Sequence, residues 1–207
     1  MTKAFSLALS FINKNEGRIA LKMLQSVIGA VDFVSCVDTQ STDDSVSTIK
    51  TFLEVKNIPH NLQVAEFQNF SQVRNISLSR IPPHIDWVIV LDCDETIPAS
   101  DFSRIISFLN CNHDTYDSIY IPRLNFLPDG NIAHYPDRQG RLFKNNRGIK
   151  FFGEVHEEIR GYQNVFMAPA LQDEDNYFHI YHHKFLIKSQ SEIEITRVLY
   201  EKLSKNP

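Results

Sequence analysis

The sequence predicts an α/β fold with a central, mostly parallel mixed sheet flanked by helices. About the first ninety residues alternate apolar, strand-like stretches with amphipathic, helix-like ones, in the order strand, helix, strand, helix, strand. This order is typical of parallel strands joined by helical crossovers. The apolar run Trp87–Leu91 then indicates a strand that is covered on both faces. Together these observations predict a Rossmann-like, nucleotide-binding half.

Local patterns place the elements of this half. Strands are expected at 4–12, 33–37, 62–65 and 87–91. A helix is expected over 18–28, where apolar residues recur at helical spacing. A second helix should follow the polar loop 38–44, in which residues 41–43 are good N-caps. A third should end at the prolines 82–83.

The second half of the chain has a different pattern of predicted strands, helices and turns. A helix is expected over 101–109, followed by a mixed or antiparallel region that begins with the strand 118–127. Turn residues cluster at 128–131 and 145–148, which predicts tight connections there. A last strand at 178–181 runs into two histidines.

A C-terminal helix should run from Ser189 to about Leu203, because Ser189 and Glu192 have the spacing of a capping box. We therefore expect one domain with three parts: a nucleotide-binding half over 1–96, an acceptor half over 97–188 and the terminal helix over 189–207. That helix could contact a partner domain or a membrane surface. Whether the chain is complete or an excised domain stays open.

The composition narrows the class of protein. The 207 residues are 43% hydrophobic and 22% charged, as in globular proteins. The net charge of −4 provides no overall basic field for nucleic acid. Three cysteines without a CxxC pair indicate reduced thiols, a cytoplasmic location and no zinc site. The apolar run within 1–11 is too short to cross a membrane, so any membrane contact would be peripheral.

Asp92 and Asp94 follow the buried strand directly and are separated only by Cys93. Ligands bind beyond the carboxyl ends of parallel strands, and carboxylate oxygens suit Mg²⁺ and Mn²⁺. The pattern therefore predicts a metal site, with a solvated acidic turn as the alternative.

Polar residues also follow the first two strands. Asn15 and Glu16 come after strand one, and Asp38 and Ser41 after strand two. Because the ends of parallel strands share one edge, Asp38 could face the same ligand as Asp92 and hydrogen-bond a base or ribose. The alternative is that Asp38 and its neighbours cap the next helix.

Three further stretches of the sequence contain side chains that could bind a ligand or transfer a proton. Arg74 could pair with a diphosphate, or form a surface ion pair. Glu154 and Glu157 flank His156 and suit general-base work, although an exposed first turn of a helix would look the same. His182 and His183 follow the last strand and could supply a metal ligand or a phosphate contact, or simply form a polar edge.

These blocks, taken together, resemble the family 2 glycosyltransferases of the GT-A fold, closest to the bacterial lipopolysaccharide-core and cell-wall type. The resemblance spans about residues 5 to 185 and follows the family's order. It rests on Asn15-Glu16, 37–43, 69–75, 87–95, 135–143 and 155–157.

The resemblance implies the roles of the residues. Asp92 and Asp94 would hold Mn²⁺ or Mg²⁺ on the donor diphosphate, and Asp38 would contact the nucleoside, with Asn15, Glu16, Ser41, Arg74 and Cys93 lining the donor site. Glu157 is the first choice of base and Glu154 the reserve. His182 is the first choice of metal histidine, but His183-Lys184-Phe185 replaces the family's aromatic-rich turn, so the choice between His182 and His183 stays open.

The implied activity is metal-dependent transfer of a sugar, with inversion, from a nucleotide-diphosphate donor, expected to be a UDP-sugar, to a glycan or lipid-linked acceptor. Two other classes compete. The sequence Asp92-Cys93-Asp94-Glu95-Thr96 also fits a haloacid-dehalogenase-like phosphatase with Asp92 as nucleophile, although the later acidic pair such enzymes need has no clear counterpart at 173–175. A non-catalytic sugar-nucleotide binder is the third class.

Overall fold

The computed structural model describes residues 3–145, 148–170 and 177–204. The turn expected at 145–148 lies partly outside these residues, and the acidic group 173–175 lies wholly outside them.

The described chain begins with the alternation that the sequence predicts. The strands are β1 (Leu7–Asn13), β2 (Phe33–Asp38), β3 (His60–Val64), β4 (Trp87–Val90), β5 (Glu95–Thr96), β6 (Ser118–Phe126), β7 (Ile132–Lys144), β8 (Lys150–Phe152), β9 (Glu158–Arg160), β10 (Val165–Met167) and β11 (Ile180–His182). The helices are α1 (Gly17–Val27), α2 (Ser45–Val55), α3 (Phe70–Ser79), α4 (Ala99–Asn112), α5 (Lys184–Ile187) and α6 (Gln190–Ser204).

One sheet joins both halves of the chain. Its strand order is β3-β2-β1-β4-β7-β6-β11-β5, with β10 on β6. The first four strands are parallel to one another, β7 is antiparallel to both of its neighbours, and β11 and β10 are parallel to β6. The predicted α/β fold with a mostly parallel sheet and flanking helices is therefore confirmed.

The central strand β4 is covered on both faces, as its unbroken apolar sequence predicts. Trp87 and Ile89 pack into one core with β1, α1 and α4, while Val88 and Val90 pack into a second core with residues of β7 and β8. All four side chains are at most 1% exposed. Because β4 cannot shift between two packed layers, the residues that follow it start from a fixed position.

The second half is the mixed region that the sequence predicts. β6 and β7 form a long antiparallel pair with two register irregularities. β8, on the far side of the expected turn, does not continue this pair; it forms a separate two-stranded sheet with β9. That small sheet lies against α3, where the Asn75 side chain hydrogen-bonds both the N–H and the C=O of Phe151.

Some boundaries differ from the prediction for identifiable reasons. β3 starts at His60, ahead of the apolar residues that predict it, because edge-strand pairing with β2 uses backbone groups of polar residues too. Helix α2 starts at Ser45, because the residues expected to cap it form hydrogen bonds in the preceding loop instead. Ser41 donates to the Asp38 carboxylate, and Asp43 accepts a hydrogen bond from the Ser45 N–H.

The predicted capping box is confirmed. The Ser189 N–H donates to the Glu192 carboxylate at 2.7 Å, and the Glu192 N–H donates back to the Ser189 hydroxyl at 3.3 Å. Cys36, Cys93 and Cys111 are all free thiols. Within the described ranges, no helix has the length and apolar character needed to cross a membrane.

The first turn of α1 approaches the start of α2 closely enough to require glycine. A Cβ added to Gly17 would lie 2.5 Å from Ser45 Cα, and the Gly17 N–H donates to the Ser45 hydroxyl at 2.8 Å. We expect Gly17→Ala to lower the free energy of unfolding by about 1–3 kcal/mol, as overpacking does. Urea denaturation measures this. Gly29→Ala, whose added Cβ would meet nothing within 4 Å, is the control; equal effects of the two substitutions would contradict the steric argument.

Candidate active site

The site is built around the turn that follows β4. The Asp92 N–H donates to the Glu95 carboxylate at 2.9 Å, and the Glu95 N–H donates to the Asp92 carbonyl at 3.0 Å. Glu95 then opens β5, which pairs with β11 so that His182 lies opposite Glu95. The His183 N–H also donates to the Asp94 carbonyl. These bonds bring the histidines, over eighty positions away in sequence, to the carboxylates.

Asp94 lies in a buried cluster of charged and polar side chains. Its Oδ1 is 3.6 Å from His182 Nε2, and its Oδ2 is 2.7 Å from the Lys188 ammonium, which also lies 2.8 Å from the Glu16 carboxylate. The other ring nitrogen of His182 is 2.7 Å from the Asn125 side-chain oxygen, which fixes the ring. Three separate parts of the chain therefore meet at Asp94.

The charge on Asp94 is well stabilised. Burial opposes its ionisation, but the nearby His182 ring and the Lys188 charge outweigh burial and lower the pKa of Asp94 to about 2. Glu16 behaves differently, because burial outweighs Lys188 and raises the pKa of that carboxyl. Lys188 holds its proton firmly: despite burial, Asp94 and Glu16 raise its pKa.

Asp92 contacts other partners. Arg74 Nη2 donates to its Oδ1 at 2.6 Å, and Arg141 Nη2 donates to its Oδ2 at 2.7 Å. Arg141 also pairs with the fully buried Glu95, which Arg123 contacts as well. Although removal from water disfavours the carboxylate, the Arg141 and Arg74 charges hold the pKa of Asp92 well below its usual range. Asp92 and Asp94 are therefore both anionic, but they face different partners.

Glu157 is held beside Asp92 by a shared arginine. Arg74 Nε donates to Glu157 Oε1 at 2.6 Å while its Nη2 contacts Asp92, so one planar guanidinium spans the two carboxylates. Arg74 is 5% exposed and the Glu157 side chain 10%. In the structure this guanidinium is used within the protein. The diphosphate contact expected of Arg74 stays a prediction.

Helix α3 presents Arg74 at this position. Asn69 caps the helix by accepting from the Gln72 N–H at 2.8 Å. On the same helix Ser77 is fully buried and hydrogen-bonds Ser10 and Ser35 of the sheet, so small side chains let α3 approach the strands closely. Arg74 therefore extends from a fixed helix toward the end of β4.

Beside this arginine is a cleft of about 340 Å³. Its walls include Arg74, Asp92, Arg141, His156, Glu157 and Tyr200. Tyr200 comes from α6 and its ring contacts Phe70 and His156, with centroids 5.1 and 5.4 Å away. Burial raises the pKa of Tyr200 to about 12, so it remains a neutral phenol. Helix α6, the C-terminal helix expected from the sequence, thus supplies part of the wall of the cleft.

The reserve base lies apart from this cleft. Glu154 is exposed and is not among the residues that line the cleft, although its carbonyl accepts a long hydrogen bond from the Phe70 N–H at 3.3 Å. Glu157 is the carboxylate of this loop that the fold brings to Asp92.

The residues at the ends of β1 and β2 and in the loops that follow them form a rim at the edge of the sheet, and their side chains hydrogen-bond to one another. Asp38 is 1% exposed and accepts from Asn13 Nδ2 at 2.6 Å and from the Ser41 hydroxyl at 2.6 Å. Asn15 Oδ1 accepts from the Thr42 N–H. Cys93 is buried and its thiol donates to the Ile12 carbonyl at 3.3 Å. In the structure these side chains shape the rim through contacts with one another.

The two neighbouring histidines have separate environments. His182 lies beside Asp94, whereas His183 Nε2 hydrogen-bonds the Thr96 hydroxyl at 2.8 Å and its ring stacks on Phe126. Between the two, His182 is therefore the one whose ring approaches a carboxylate of the site.

The side chains around Asp94 provide some of the ligands that a divalent cation needs. Carboxylate and imidazole together suit Mn²⁺, and Asp94 and His182 are close enough to share an ion. In the described parts of the chain, no group of three or more His, Cys, Asp or Glu side chains is arranged to hold a metal. The Lys188 ammonium is the cation seen at this point, and it shows that Asp94 and Glu16 can share one positive charge.

Sequence reasoning missed several residues of the site. Arg123, Arg141, Lys188 and Tyr200 are brought in from later strands and helices. The signal for Arg141 was its place directly before the apolar pair Leu142-Phe143, because an arginine drawn into a core needs an acidic partner. No local signal identifies Lys188 or Tyr200.

No protein-family model matches the chain. It is 26% identical over 169 residues to the SPbeta prophage-derived glycosyltransferase SunS of Bacillus subtilis and to glycosyltransferase SunS of Bacillus phage SPbeta. The match covers 77% of this chain but 36% of each relative, so the chain spans about a third of their length.

Solved glycosyltransferase structures share the fold. Residues 1–349 of S. aureus TarS in complex with UDP-GlcNAc superimpose with a TM-score of 0.63 at 13% identity, over 94% of this chain and 65% of that one. Mannosyltransferase PcManGT of Pyrobaculum calidifontis, in complex with GDP-Man and Mn²⁺, gives 0.61 at 16% identity, over 86% and 57%. The chain thus has the α/β fold of these glycosyltransferases and is similar in sequence to another.

Proposed function

We propose that the protein is a metal-dependent, family 2 type glycosyltransferase that moves a sugar, with inversion, from a nucleotide-diphosphate donor to a hydroxyl of a glycan or lipid-linked acceptor. A UDP-sugar is the expected donor. The sequence similarity to SunS supports transfer, and TarS with UDP-GlcNAc and PcManGT with GDP-Man and Mn²⁺ support a nucleotide-sugar donor. A cytoplasmic location with peripheral membrane contact stays a prediction.

One observation carries the proposal: two carboxylates at the end of the central strand face two adjoining groups of side chains. Asp94 faces His182, a residue pair suited to a metal, while Asp92 faces Glu157 across Arg74 in the cleft. Sugar transfer requires a donor site and an acceptor base next to each other. The turn after β4 holds Asp94, the proposed metal ligand, and Asp92, the carboxylate that Arg74 joins to the proposed base Glu157, within three residues.

At the donor end, the side of the turn on which Asp94 lies, Asp94 and His182 are the residues that would hold the metal, and Glu16 shares Lys188 with Asp94. Asp92, the third ligand expected from the sequence, pairs with Arg74 and Arg141 in the structure, and its role as a metal ligand stays a prediction. A bound Mn²⁺ or Mg²⁺ would offset the charge that develops on the departing nucleoside diphosphate. The unit formed by Asn13, Asp38 and Ser41 borders this end and offers polar groups to a nucleoside.

At the acceptor end, Glu157 would take the proton from the acceptor hydroxyl as that oxygen attacks the anomeric carbon. Arg74 fixes one carboxylate oxygen, Oε1, through the 2.6 Å hydrogen bond, so Oε2 is the oxygen left to accept the proton. Because the same guanidinium contacts Asp92, the base keeps a fixed position relative to the donor end.

Donor binding tests the first part of the proposal. With Mn²⁺ present, a panel of nucleotide sugars should include a UDP-sugar that raises the melting temperature, and Asp94→Ala should abolish this shift, because the metal loses its carboxylate. Differential scanning fluorimetry measures the shift, and released UDP is assayed in parallel. Asp114→Asn, at a 91% exposed side chain, is the control and should retain the shift.

Two outcomes would favour the other classes. Phosphate release from a generic phosphomonoester, without a shift by any nucleotide, would support the phosphatase with Asp92 as nucleophile. A donor-dependent shift without release of nucleoside diphosphate, with or without sugar acceptors, would indicate a binder that has no activity.

Replacing the base separates binding from transfer. Glu157→Gln should keep the donor-induced shift in melting temperature and lower the transfer rate at least about 100-fold, in line with the usual contribution of a general base. The amide oxygen of glutamine can still accept the Arg74 hydrogen bond, so the fold should be retained.

The reserve base is tested in the same assay. Glu154→Gln should transfer at close to the unmodified rate, because this side chain is exposed and outside the cleft. Full activity of Glu157→Gln together with loss in Glu154→Gln would reassign the base to Glu154.

A further inference from the structure

Lys188 lies where a cation at Asp94 would be expected. Its ammonium is 2.7 Å from Asp94 Oδ2 and 2.8 Å from Glu16 Oε1, and only 12% of its side chain is exposed. Asp94 itself is 4% exposed. A buried carboxylate requires a compensating charge, and the described residues supply that charge as a lysine from the C-terminal segment.

The segment that carries Lys188 is attached to the body by few buried contacts. α5 is a single turn of four residues, α6 starts at Gln190, and neither helix has a fully buried residue. Apart from the two ion pairs of Lys188, the ring of Tyr200 against Phe70 and His156 is the main contact of α6 with the cleft. With so little buried surface, this segment is held mainly by the Lys188 ion pairs, so a cation that takes the place of Lys188 can release it.

Asp94 cannot serve a divalent cation and Lys188 together in this arrangement. A metal ion bound by Asp94 and His182 would lie within a few ångströms of the ammonium. At that distance two positive charges in a partly buried site repel strongly. The lysine would also keep one oxygen of Asp94 and one of Glu16 from the ion.

We propose that Lys188 competes with the divalent cation for Asp94 and Glu16, so that the metal binds only when the segment 184–204 withdraws the lysine. This inference rests on the proposed metal-dependent transfer. It makes the C-terminal segment a regulator of the donor end: the Lys188 ion pairs keep the carboxylates neutralised until metal and diphosphate arrive.

The opposite relationship is that Lys188 acts in place of a metal and contacts the donor diphosphate itself. A lysine is a good phosphate ligand, so both relationships are chemically sound. They differ in the sign of one measurement. Removing a competitor strengthens metal binding, whereas removing a substitute leaves metal binding unchanged and weakens nucleotide binding.

The test is direct Mn²⁺ binding to the full chain, followed by the electron paramagnetic resonance signal of free Mn²⁺, without donor sugar and again with UDP. Lys188→Met should lower the apparent dissociation constant for Mn²⁺ at least about tenfold, because the competing charge is gone. Lys188→Arg keeps the charge and should stay within about threefold of the unmodified protein. Lys202→Met, at an exposed lysine of α6, is the matched control and should change nothing.

A second measurement protects the test against a folding defect. Lys188→Met leaves Asp94 and Glu16 without their ammonium, so its melting temperature should fall, and Mn²⁺ should restore it by more than Mn²⁺ raises that of the unmodified protein. Asp94→Asn combined with Lys188→Met should bind Mn²⁺ no better than the unmodified protein.

The outcomes that overturn the inference are distinct from failure of the proposed function. Equal Mn²⁺ affinity with and without Lys188, in a protein that a UDP-sugar still stabilises, would remove the competition and leave the transferase intact. Loss of UDP binding in Lys188→Met, with Mn²⁺ affinity unchanged, would make the lysine a substitute for the metal. Absence of Mn²⁺ binding in every variant would overturn the competition and the metal dependence together.

Discussion

The site depends on one electrostatic constraint: carboxylates at the end of the buried strand β4 must be neutralised. Asp92 receives two guanidinium groups, Glu95 shares one of them and adds a third, and Asp94 receives an ammonium. Each cation comes from a different element, so satisfying the charges at this turn also fixes α3, β6, β7 and the C-terminal segment around it. Removing one partner of such a pair leaves an uncompensated charge, which is the costly case for buried ion pairs.

This arrangement separates two carboxylates that the D-x-D spacing places close together. In an extended chain residues i and i+2 share one face, but the turn after Leu91 rotates Asp92 toward the cleft and Asp94 toward His182. Arg74 then links the cleft carboxylate Asp92 to Glu157, which lies eighty-three positions after the arginine in the sequence. The proposed base and the proposed metal ligand thus derive their relative position from one strand and one arginine.

The C-terminal segment connects the two sites from outside. Lys188 reaches the donor end, and twelve residues later Tyr200 borders the cleft. Under the proposed function, movement of this segment would alter the donor and acceptor ends together and so couple loading of the donor with access of the acceptor. The ion pairs that hold it are strong only while Asp94 and Glu16 have no other cation.

The sequence by itself determined the α/β class, the four parallel strands and the place of Asp92 and Asp94 at the end of β4, because alternation of patterns and an unbroken apolar run are local properties. It also located Glu157 and His182 as candidates through family resemblance. Only the tertiary structure decided the partners: that Arg74 spans Asp92 and Glu157, that His182 and not His183 faces Asp94, and that Lys188 neutralises it. Ion pairs between distant segments depend on strand order and side-chain direction in three dimensions, and no local pattern of residues encodes them.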